Sequence, residues 1–186
     1  MGAGHRPHVR RASSDELTPA EITVIRDLLV TAFGTDPEDA FRDADWQHAI
    51  GGTHFVLEHD GAIVGHASVV ERVLEVDGRA LRTGYVEAVG VAPDRQGSGF
   101  GSHLMRDVTH WIMERFDLGA LGTGRHRFYE RLGWRTWAGP TSVRTADGPR
   151  RTPDEDGYVL VLATPSSPPL DLASSISCDW RAGDVW

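Results

Sequence analysis

A glycine-rich stretch in the middle of the chain has the residue types of an anion-binding loop. It comprises Gln96, Gly97, Ser98, Gly99, Phe100 and Gly101. Because glycine lacks a Cβ atom, successive backbone N–H groups can converge on one anion, and the N-terminus of a following helix adds about half a positive charge. The sequence therefore predicts a phosphate-binding turn between an apolar strand, VEAVGVAP, and a helix.

Two common phosphate-binding loops do not fit these residues. A nucleotide-binding Walker loop ends in Gly-Lys-Ser or Gly-Lys-Thr, whereas Gly101 and Ser102 are followed here by His103. A dinucleotide-binding loop needs a third glycine where Ser102 stands, and it lies in a βαβ unit rather than after hairpins. The pattern that remains is Gln/Arg-x-x-Gly-x-Gly/Ala, placed between a strand and a long helix.

Length and composition limit the classes of protein to which the chain can belong. The 186 residues predict one compact domain over residues 1–186, with residues 1–15 as a disordered N-terminus. A net charge of −8 argues against a nucleic-acid partner and favours a cationic one. No apolar run reaches the roughly 18 residues that span a bilayer, and the N-terminus lacks a signal-peptide pattern, so we expect a cytoplasmic protein without a membrane partner. The single cysteine, Cys178, leaves no partner for an intrachain disulfide.

The first half of the chain shows local signals for a helix and a meander of strands. The sequence TPAE, residues 18–21, has the spacing of a capping box and predicts a helix over 19–33. A loop with a short helix follows. Residues 54–92 predict three antiparallel strands joined by turns at Asp60-Gly61 and Asp77-Gly78.

The second half begins with the glycine loop. Apolar spacing predicts an amphipathic helix over about 99–116, followed by a short strand at LGALGT and a short helix at RHRFYERL. We expect one or two more strands in residues 134–164. The aromatic residues of the tail, residues 166–186, argue against disorder there. Together these elements predict an α+β fold.

Several separated motifs resemble those of one enzyme family. They are GYVEAVGV, the glycine loop, LGALGT, GPTSV, RTPDEDG and CDWRAGDVW. Together they resemble the aminoglycoside 2'-N-acetyltransferases, members of the GNAT superfamily of N-acetyltransferases. The resemblance implies the GNAT fold, a central, mostly antiparallel sheet with splayed strands flanked by helices. It also implies acetyl-CoA as co-substrate, a homodimer and a role in antibiotic resistance. The histidine spacing and the single cysteine give no metal-site pattern, so we expect no metal.

The resemblance further implies how coenzyme A is held. In the superfamily the glycine loop binds the pyrophosphate, and the preceding strand carries a bulge that leaves a slot for pantetheine. This assigns the pantetheine contacts to the backbone of Val89, Gly90 and Val91. The amide of Val89 would polarise the thioester carbonyl and stabilise the oxyanion that develops there.

An aminoglycoside is a polycation, so its site needs carboxylates and carbonyls around a wide cleft. The chain concentrates acids at residues 36–45, at residues 154–156 and at the C-terminal end. One exposed acid contributes only about 0–1 kcal/mol to an ion pair, so a shared cleft is required. The resemblance assigns to this cleft Asp36, Asp45, Glu87, Ala88, Gly122, Asp154, Glu155, Asp184 and Trp186, the last through its carboxylate. The tail 166–186 would thus contribute to the substrate site.

Two residues acquire catalytic roles from the resemblance. Glu87, two residues before Val89, would act as general base through a water molecule; the alternative is that it only holds a substrate ammonium. Tyr129, in RFYERLGW, would protonate the departing thiolate; the alternative is core packing with its hydroxyl satisfied by backbone.

Other side chains and two other functions bear on this hypothesis. Seven histidines have no metal-site spacing, and we interpret them as surface or core residues: His48, His54, His59, His66, His103, His110 and His126. Two further functions stay open, acetylation of another cellular amine or peptide and a noncatalytic acetyl-CoA sensor. The presence of both Glu87 and Tyr129 argues against the sensor.

Overall fold

The computed structural model describes residues 6–36 and 40–186. The helices are α1 (Pro19–Phe33), α2 (Asp43–Ala49), α3 (Phe100–Arg115) and α4 (His126–Glu130). The strands are β1 (His8–Ser13), β2 (Thr53–His59), β3 (Ala62–Val76), β4 (Arg79–Val91), β5 (Leu118–Gly122), β6 (Arg135–Thr136), β7 (Thr141–Thr145), β8 (Gly148–Arg151), β9 (Val159–Ala163) and β10 (Ile176–Asp179). This mixture confirms the predicted α+β class.

The contacts divide the chain into two compact units. Unit 1 consists of Met1–Val70 and Val86–Val108, and unit 2 consists of Glu71–Tyr85 and Thr109–Trp186. Strands β3 and β4 and helix α3 each contribute residues to both units. The glycine loop belongs to unit 1, and the C-terminal segment belongs to unit 2.

Helix α1 of unit 1 begins where its capping box predicts. Thr18 Oγ1 accepts the N–H of Glu21 at 3.3 Å, and Glu21 Oε2 accepts the N–H of Thr18 at 2.8 Å. Its buried face is formed by Ile25, Leu28 and Leu29. Leu29 packs against Gly90 of β4, since a Cβ atom on Gly90 would lie 2.8 Å from Leu29 Cδ2. Strand β4 therefore packs closely against α1 because Gly90 has no side chain.

The expectation of a disordered N-terminus over residues 1–15 is wrong for β1. This strand pairs antiparallel with β2 from His8↔Glu58 to Ser13↔Thr53. It is held because Ala12 is buried in the core cluster of unit 1 and Arg10 forms ion pairs with Glu21 and Glu58. Residues 1–5 of that segment lie outside the described residues.

Strands β2 and β3 form the first predicted hairpin. Its turn residues, Asp60 and Gly61, have φ values of 50° and 77°, as a type I′ turn requires. The register shifts between Leu57 and Glu58, because Glu58 faces Ile63 whereas Leu57 faces Gly65. Val64 is therefore the extra residue of a β-bulge, and beyond it every side chain of one strand has changed face relative to the other.

Unit 2 contains most of the sheet. The strand order is β6-β9-β5-β4-β3-β10-β7-β8. Strand β4 runs parallel to β5 and β10 runs parallel to β7, while β10–β3, β5–β9, β6–β9 and β7–β8 are antiparallel. The sheet is thus mostly antiparallel, as predicted. We expected one or two strands in residues 134–164, but the structure has four, because the polar segment of β8 pairs back on β7.

Buried tryptophans and an ordered tail complete unit 2. Trp134 Nε1 donates to Thr109 Oγ1 at 3.0 Å, and Trp137 Nε1 donates to Ser174 O at 2.9 Å. The C-terminal residues form β10, which agrees with the expectation that this tail is not disordered. In the part of the chain that the structure describes, no helix is long and apolar enough to cross a membrane.

Candidate active site

The predicted anion-binding turn connects β4 to α3 in unit 1. Gly97 and Gly99 have φ values of 76° and 87°, a conformation that costs a residue with a Cβ atom about 1–2 kcal/mol. Both glycines are exposed, and no atom lies within 4 Å of where their Cβ atoms would be. Gly99 O accepts the N–H of His103 at 2.9 Å, so Gly99 caps the helix and the N–H groups of the first turn point out of its end. The turn is an open cradle of the kind that holds a phosphate.

Gln96 ties this turn to the end of β4. Its Nε2 donates to Val91 O at 3.0 Å, and the neighbouring Ala92 N–H donates to Val64 O at 2.9 Å. The predicted cofactor residues Val89 to Gly101 therefore form one continuous strand-turn-helix segment.

An unusual backbone conformation separates the predicted base from the predicted amide donor. Ala88, between Glu87 and Val89, has a φ value of 51° inside β4. A residue other than glycine is held in this region at a cost of about 1–3 kcal/mol only where its surroundings fix it. Such a residue interrupts the regular ladder in the way of a β-bulge, which the family resemblance predicts for this strand.

Two buried histidines, which we had interpreted only as surface or core residues, form a pair, and one of them contacts the backbone of Ala88. His54 on β2 and His66 on β3 are both 0% exposed. His54 Nδ1 lies 2.9 Å from His66 Nε2, and His66 Nδ1 lies 2.8 Å from Ala88 O. Burial lowers the pKa of His54 to about 4 and that of His66 to about 3, so both imidazoles are neutral at pH 7.

Two of the acids predicted in residues 36–45 make local contacts. Asp45 accepts the N–H of Arg42 at 2.7 Å and caps α2, and Asp43 forms an ion pair with Arg26. Asp36 is exposed in the loop before α2. Two further acids of the segment, Glu38 and Asp39, lie outside the described residues. Asp43 and Asp45 thus stabilise local structure.

Tyr129 lies on α4 of unit 2 and is 7% exposed. Its ring packs edge-on against Phe128 and Trp134, at centroid distances of 4.9 and 6.2 Å. Burial raises the pKa of its hydroxyl well above the ordinary value, more than the nearby Arg125 lowers it. The side chain therefore remains a protonated phenol at neutral pH, which is the form that a proton donor needs.

The structure brings together three predicted substrate-binding acids of unit 2. Burial, and then the charges of Asp184 and Asp154, raise the pKa of the half-buried Glu155 carboxyl. Asp156, which we had grouped with them, is instead bound to Arg151 at 2.6 Å and accepts the N–H of Thr141 at 2.8 Å. These contacts hold the pKa of Asp156 well below its usual range. Asp154, Glu155 and Asp184 form a negatively charged patch. Asp156 instead stabilises the local structure through Arg151 and Thr141.

The C-terminal residues are folded back on unit 2. Trp186 is buried, its Nε1 donates to Thr152 Oγ1 at 2.9 Å, and its N–H donates to Asp184 Oδ1 at 3.1 Å. Arg181 donates to the main-chain oxygens of Asp184 and Trp186, at 2.6 and 2.9 Å. The predicted substrate residues Asp184 and Trp186 are therefore held in one conformation.

A buried arginine that the sequence analysis missed anchors the same segment. Arg72 on β3 is 5% exposed, and its Nη2 donates to the main-chain oxygens of Asp179 and Val185, at 2.8 Å each. Its guanidinium lies 4.8 Å from the ring centroid of Tyr85, which Arg181 also approaches at 5.5 Å. The sequence pattern that could have revealed Arg72 is an arginine within an apolar strand, because a buried arginine is found almost only where its guanidinium has hydrogen-bond or charge partners.

Gly122, the last predicted substrate residue, ends β5. A Cβ atom there would lie 3.3 Å from the ring of Tyr158 and 3.7 Å from the Tyr85 hydroxyl oxygen. Across residues 6–36 and 40–186, no group of three or more His, Cys, Asp or Glu side chains is placed to hold a metal ion.

A mostly antiparallel sheet and an open glycine cradle at the start of a long helix agree with the class of N-acetyltransferases that the sequence motifs resemble. Residues 22–134 match the sequence model of the acetyltransferase (GNAT) family. The chain belongs to this family, which confirms the predicted fold class.

The chain is also similar to an aminoglycoside 2'-N-acetyltransferase from Mycolicibacterium fortuitum. The two are 43% identical over 166 residues, which cover 87% of this chain and 83% of the relative. This similarity confirms the resemblance inferred from the separated motifs.

Solved structures with the same fold include one that holds acetyl-CoA and one that holds CoA. A GNAT acetyltransferase from Brucella melitensis in complex with acetyl-CoA is 20% identical, with a TM-score of 0.62 over 96% of this chain and 97% of that one. A GNAT N-acetyltransferase from Escherichia coli in complex with CoA is 16% identical, with a TM-score of 0.63 over 93% and 89%. Two other solved structures, a GCN5-related N-acetyltransferase from Kribbella flavida and a probable N-acyltransferase from Enterococcus faecalis, are longer, and the chain spans 34% and 33% of their lengths. At these identities the structural likeness establishes the fold alone.

Proposed function

We propose that this protein transfers the acetyl group of acetyl-CoA to the 2'-amino group of aminoglycosides. The observation that carries the proposal is the 43% identity with the aminoglycoside 2'-N-acetyltransferase, which extends over 87% of the chain. The patch formed by Asp154, Glu155 and Asp184 and the net charge of −8 agree with a polycationic substrate.

Coenzyme A would bind along the strand-turn-helix segment of unit 1. The exposed cradle of Gly97 and Gly99 and the N-terminus of α3 suit its pyrophosphate, because backbone N–H groups and the helix dipole both favour an anion there. The backbone of Val89, Gly90 and Val91 would pair with pantetheine. In this arrangement the Val89 N–H donates to the thioester carbonyl oxygen.

The reaction forms one bond and breaks one bond. The neutral 2'-amine attacks the thioester carbonyl carbon, a C–N bond forms, and the C–S bond breaks to release the thiolate of coenzyme A. A sugar amine with a pKa of about 8 is about 10% neutral at pH 7, a penalty of about 1.4 kcal/mol. Glu87 would take the amine proton through a water molecule, and Tyr129 would donate its phenolic proton to the thiolate.

The substrate would be held by its ammonium groups. Glu155 and Asp184 are candidates because burial and then the charge of Asp184 raise the pKa of the Glu155 carboxyl. A cationic amine bound between the two carboxylates would relieve their mutual repulsion. Asp36, Asp45, Ala88, Gly122 and Trp186 remain proposed contacts that rest on the family resemblance.

The test is an acetylation assay on purified protein with acetyl-CoA and aminoglycosides that have or lack a 2'-amine. Thiol release would be followed with a chromogenic reagent, and NMR of the product would locate the acetyl group. We expect thiol release only with 2'-amino drugs and acetylation at that nitrogen. Release without 2'-selectivity would contradict the regiochemistry, and coenzyme A binding without release would favour another amine substrate or a sensor.

We further propose that the protein is a homodimer, as the family resemblance implies, and that it is cytoplasmic. Light scattering after size-exclusion chromatography would test this, with a mass near twice the 20.4 kDa of the chain as the expected result. A monomer mass at micromolar concentration would contradict it.

A further inference from the structure

A chain of hydrogen bonds in unit 1 ends on the backbone of Ala88. The Gly51 N–H donates to Ser14 Oγ at 2.9 Å, and Ser14 Oγ lies 2.8 Å from His54 Nε2. His54 Nδ1 lies 2.9 Å from His66 Nε2, and His66 Nδ1 lies 2.8 Å from Ala88 O. Four consecutive contacts therefore connect Gly51 and Ser14 to the backbone of Ala88 in β4.

The direction of this chain follows from its last acceptor. A carbonyl oxygen only accepts, so His66 Nδ1 carries a proton that it donates to Ala88 O. A neutral His66 then accepts at Nε2 from His54 Nδ1–H, and a neutral His54 accepts at Nε2 from the Ser14 hydroxyl. Every donor has an acceptor in this one arrangement, which predicts the Nδ1–H tautomer for both histidines.

The surroundings of the two imidazoles support the neutral state. Both rings are fully buried and lie beside Trp46 of α2, at centroid distances of 5.7 and 5.8 Å. Trp46 is itself 4% exposed. Burial is the largest cause of the lowered pKa of each histidine, and it keeps the chain of donors and acceptors unchanged at neutral pH.

The chain is suited to orienting a peptide group rather than to moving a proton. It ends on an amide oxygen, which is too weakly basic to pass a proton on. Ala88 O and the Val89 N–H belong to one planar trans peptide group, so they point in opposite directions. The hydrogen bond from His66 therefore directs the Val89 N–H away from the histidine pair. The left-handed φ of 51° at Ala88 shows that this orientation differs from that of a regular strand.

We propose that His54 and His66 are positioning residues that aim the Val89 N–H at the thioester carbonyl of acetyl-CoA. The inference rests on the proposed acetyl transfer, in which the Val89 N–H is the donor to the carbonyl oxygen. A donor that stabilises a developing oxyanion acts mainly in the transition state. Misdirecting it should therefore lower kcat more than it weakens cofactor binding.

Three variants separate orientation from stability. His66→Leu removes the donor to Ala88 O, whereas His66→Asn keeps a side-chain N–H close to the position of Nδ1. Ser68→Ala is the matched control, because Ser68 is a fully buried residue of the same strand that donates at 2.8 Å to Ala49 O rather than to Ala88. We expect His66→Leu to lower kcat about 10–100-fold, with the KM for acetyl-CoA changed by less than about 3-fold. His66→Asn should recover most of kcat, and Ser68→Ala should keep it.

Two spectroscopic measurements need no acceptor substrate. In infrared difference spectra, the carbonyl band of bound [1-¹³C]acetyl-CoA should shift to lower frequency in the wild type and in His66→Asn, and the shift should shrink in His66→Leu. In the wild type, ¹⁵N NMR of the imidazoles should show Nδ1–H at both His54 and His66, a result that does not depend on any variant folding.

The outcomes are distinguishable. A folded His66→Leu with wild-type kcat and an unchanged carbonyl band would overturn the positioning role, and so would an Nε2–H tautomer at His66. A wild-type carbonyl band that does not shift would contradict the Val89 contact and this inference with it. A shifted band without acetylation of any aminoglycoside would contradict only the proposed substrate.

Discussion

Mild acid should destabilise this protein through the two buried histidines of unit 1. The folded-state pKa values of His54 and His66 are about 4 and about 3, below the ordinary value of 6.5. Between about pH 6.5 and pH 4 the two histidines of the unfolded chain bind protons that those of the folded chain do not bind. Stability is therefore fully present above about pH 6.5 and is lost as the pH falls toward 4.

The size of the effect follows from the distance between the pH and the ordinary pKa. At pH 5 each histidine is about 1.5 units below that value, and one unit corresponds to about 1.4 kcal/mol. Each histidine then costs about 2 kcal/mol of unfolding free energy, and the pair costs about 4 kcal/mol. This loss is large against the total of about 5–15 kcal/mol for a typical domain.

Urea unfolding at constant ionic strength between pH 7.5 and pH 5 measures this loss. Trp46, the one tryptophan in residues 1–70 and 86–108, lies beside both imidazoles, so ¹⁹F NMR of fluorotryptophan-labelled protein reports on unit 1. The double variant His54→Asn/His66→Asn keeps amide donors but does not titrate, and its stability should change far less.

Carboxylates need a separate control. The raised pKa of Glu155 acts in the opposite sense, because the folded chain then binds a proton more readily as the pH falls, and Glu155→Gln removes this contribution. A wild-type loss below about 1 kcal/mol at pH 5, or an equal loss in the double variant, would refute the reasoning.

Three further expectations concern the proposed reaction. Tyr129→Phe should lower kcat about 10–1,000-fold with little change in KM, and an unchanged kcat would remove Tyr129 from the mechanism. Gly99→Ala should raise the Kd of coenzyme A about 5–30-fold in calorimetry, because an alanine in this exposed turn relaxes in the free protein and must return to a φ of 87° to bind, at a cost of about 1–2 kcal/mol. Gly34→Ala, with a φ of 84° and equally open surroundings, should reduce stability without affecting that Kd. Asp184→Asn should lower the pKa of Glu155 in ¹³C NMR and raise the aminoglycoside KM about 3–30-fold at low salt, with a smaller effect at high salt. A Glu155 pKa that does not move would show that the two carboxylates do not interact.

Elements with local signals were predictable from the sequence. Helix α1 begins at its capping box because Thr18 and Glu21 satisfy each other's N–H groups within one turn. The Asp60-Gly61 turn forms because both residues tolerate a positive φ. The glycine loop was recognisable for the same reason, since its conformation depends on missing Cβ atoms rather than on distant contacts.

Elements that depend on distant partners were missed. Strand β8 has the sequence GPRR, with no apolar alternation, and it forms because its backbone pairs with β7. Strand β1 was assigned to a disordered terminus, and it is ordered by pairing with β2. The carboxylates of Glu155 and Asp184 are far apart in sequence, and only the folding back of the C-terminal segment brings their charges into range.

The histidine pair shows most clearly which features depend on tertiary structure rather than on the local sequence. The Asp-Gly turn pairs His59 with Ala62, and an unbroken register from that pair would set Phe55 opposite His66. His54 and His66 would then lie on opposite faces of the hairpin, since neighbouring residues of a strand alternate. The bulge at Val64 shifts the register by one residue and places both imidazoles on one face. Residue types alone predict the glycine turn and its suitability for an anion. Which side chains meet behind it depends on a register that tertiary packing sets, because a one-residue shift leaves the local sequence pattern unchanged and exchanges every face.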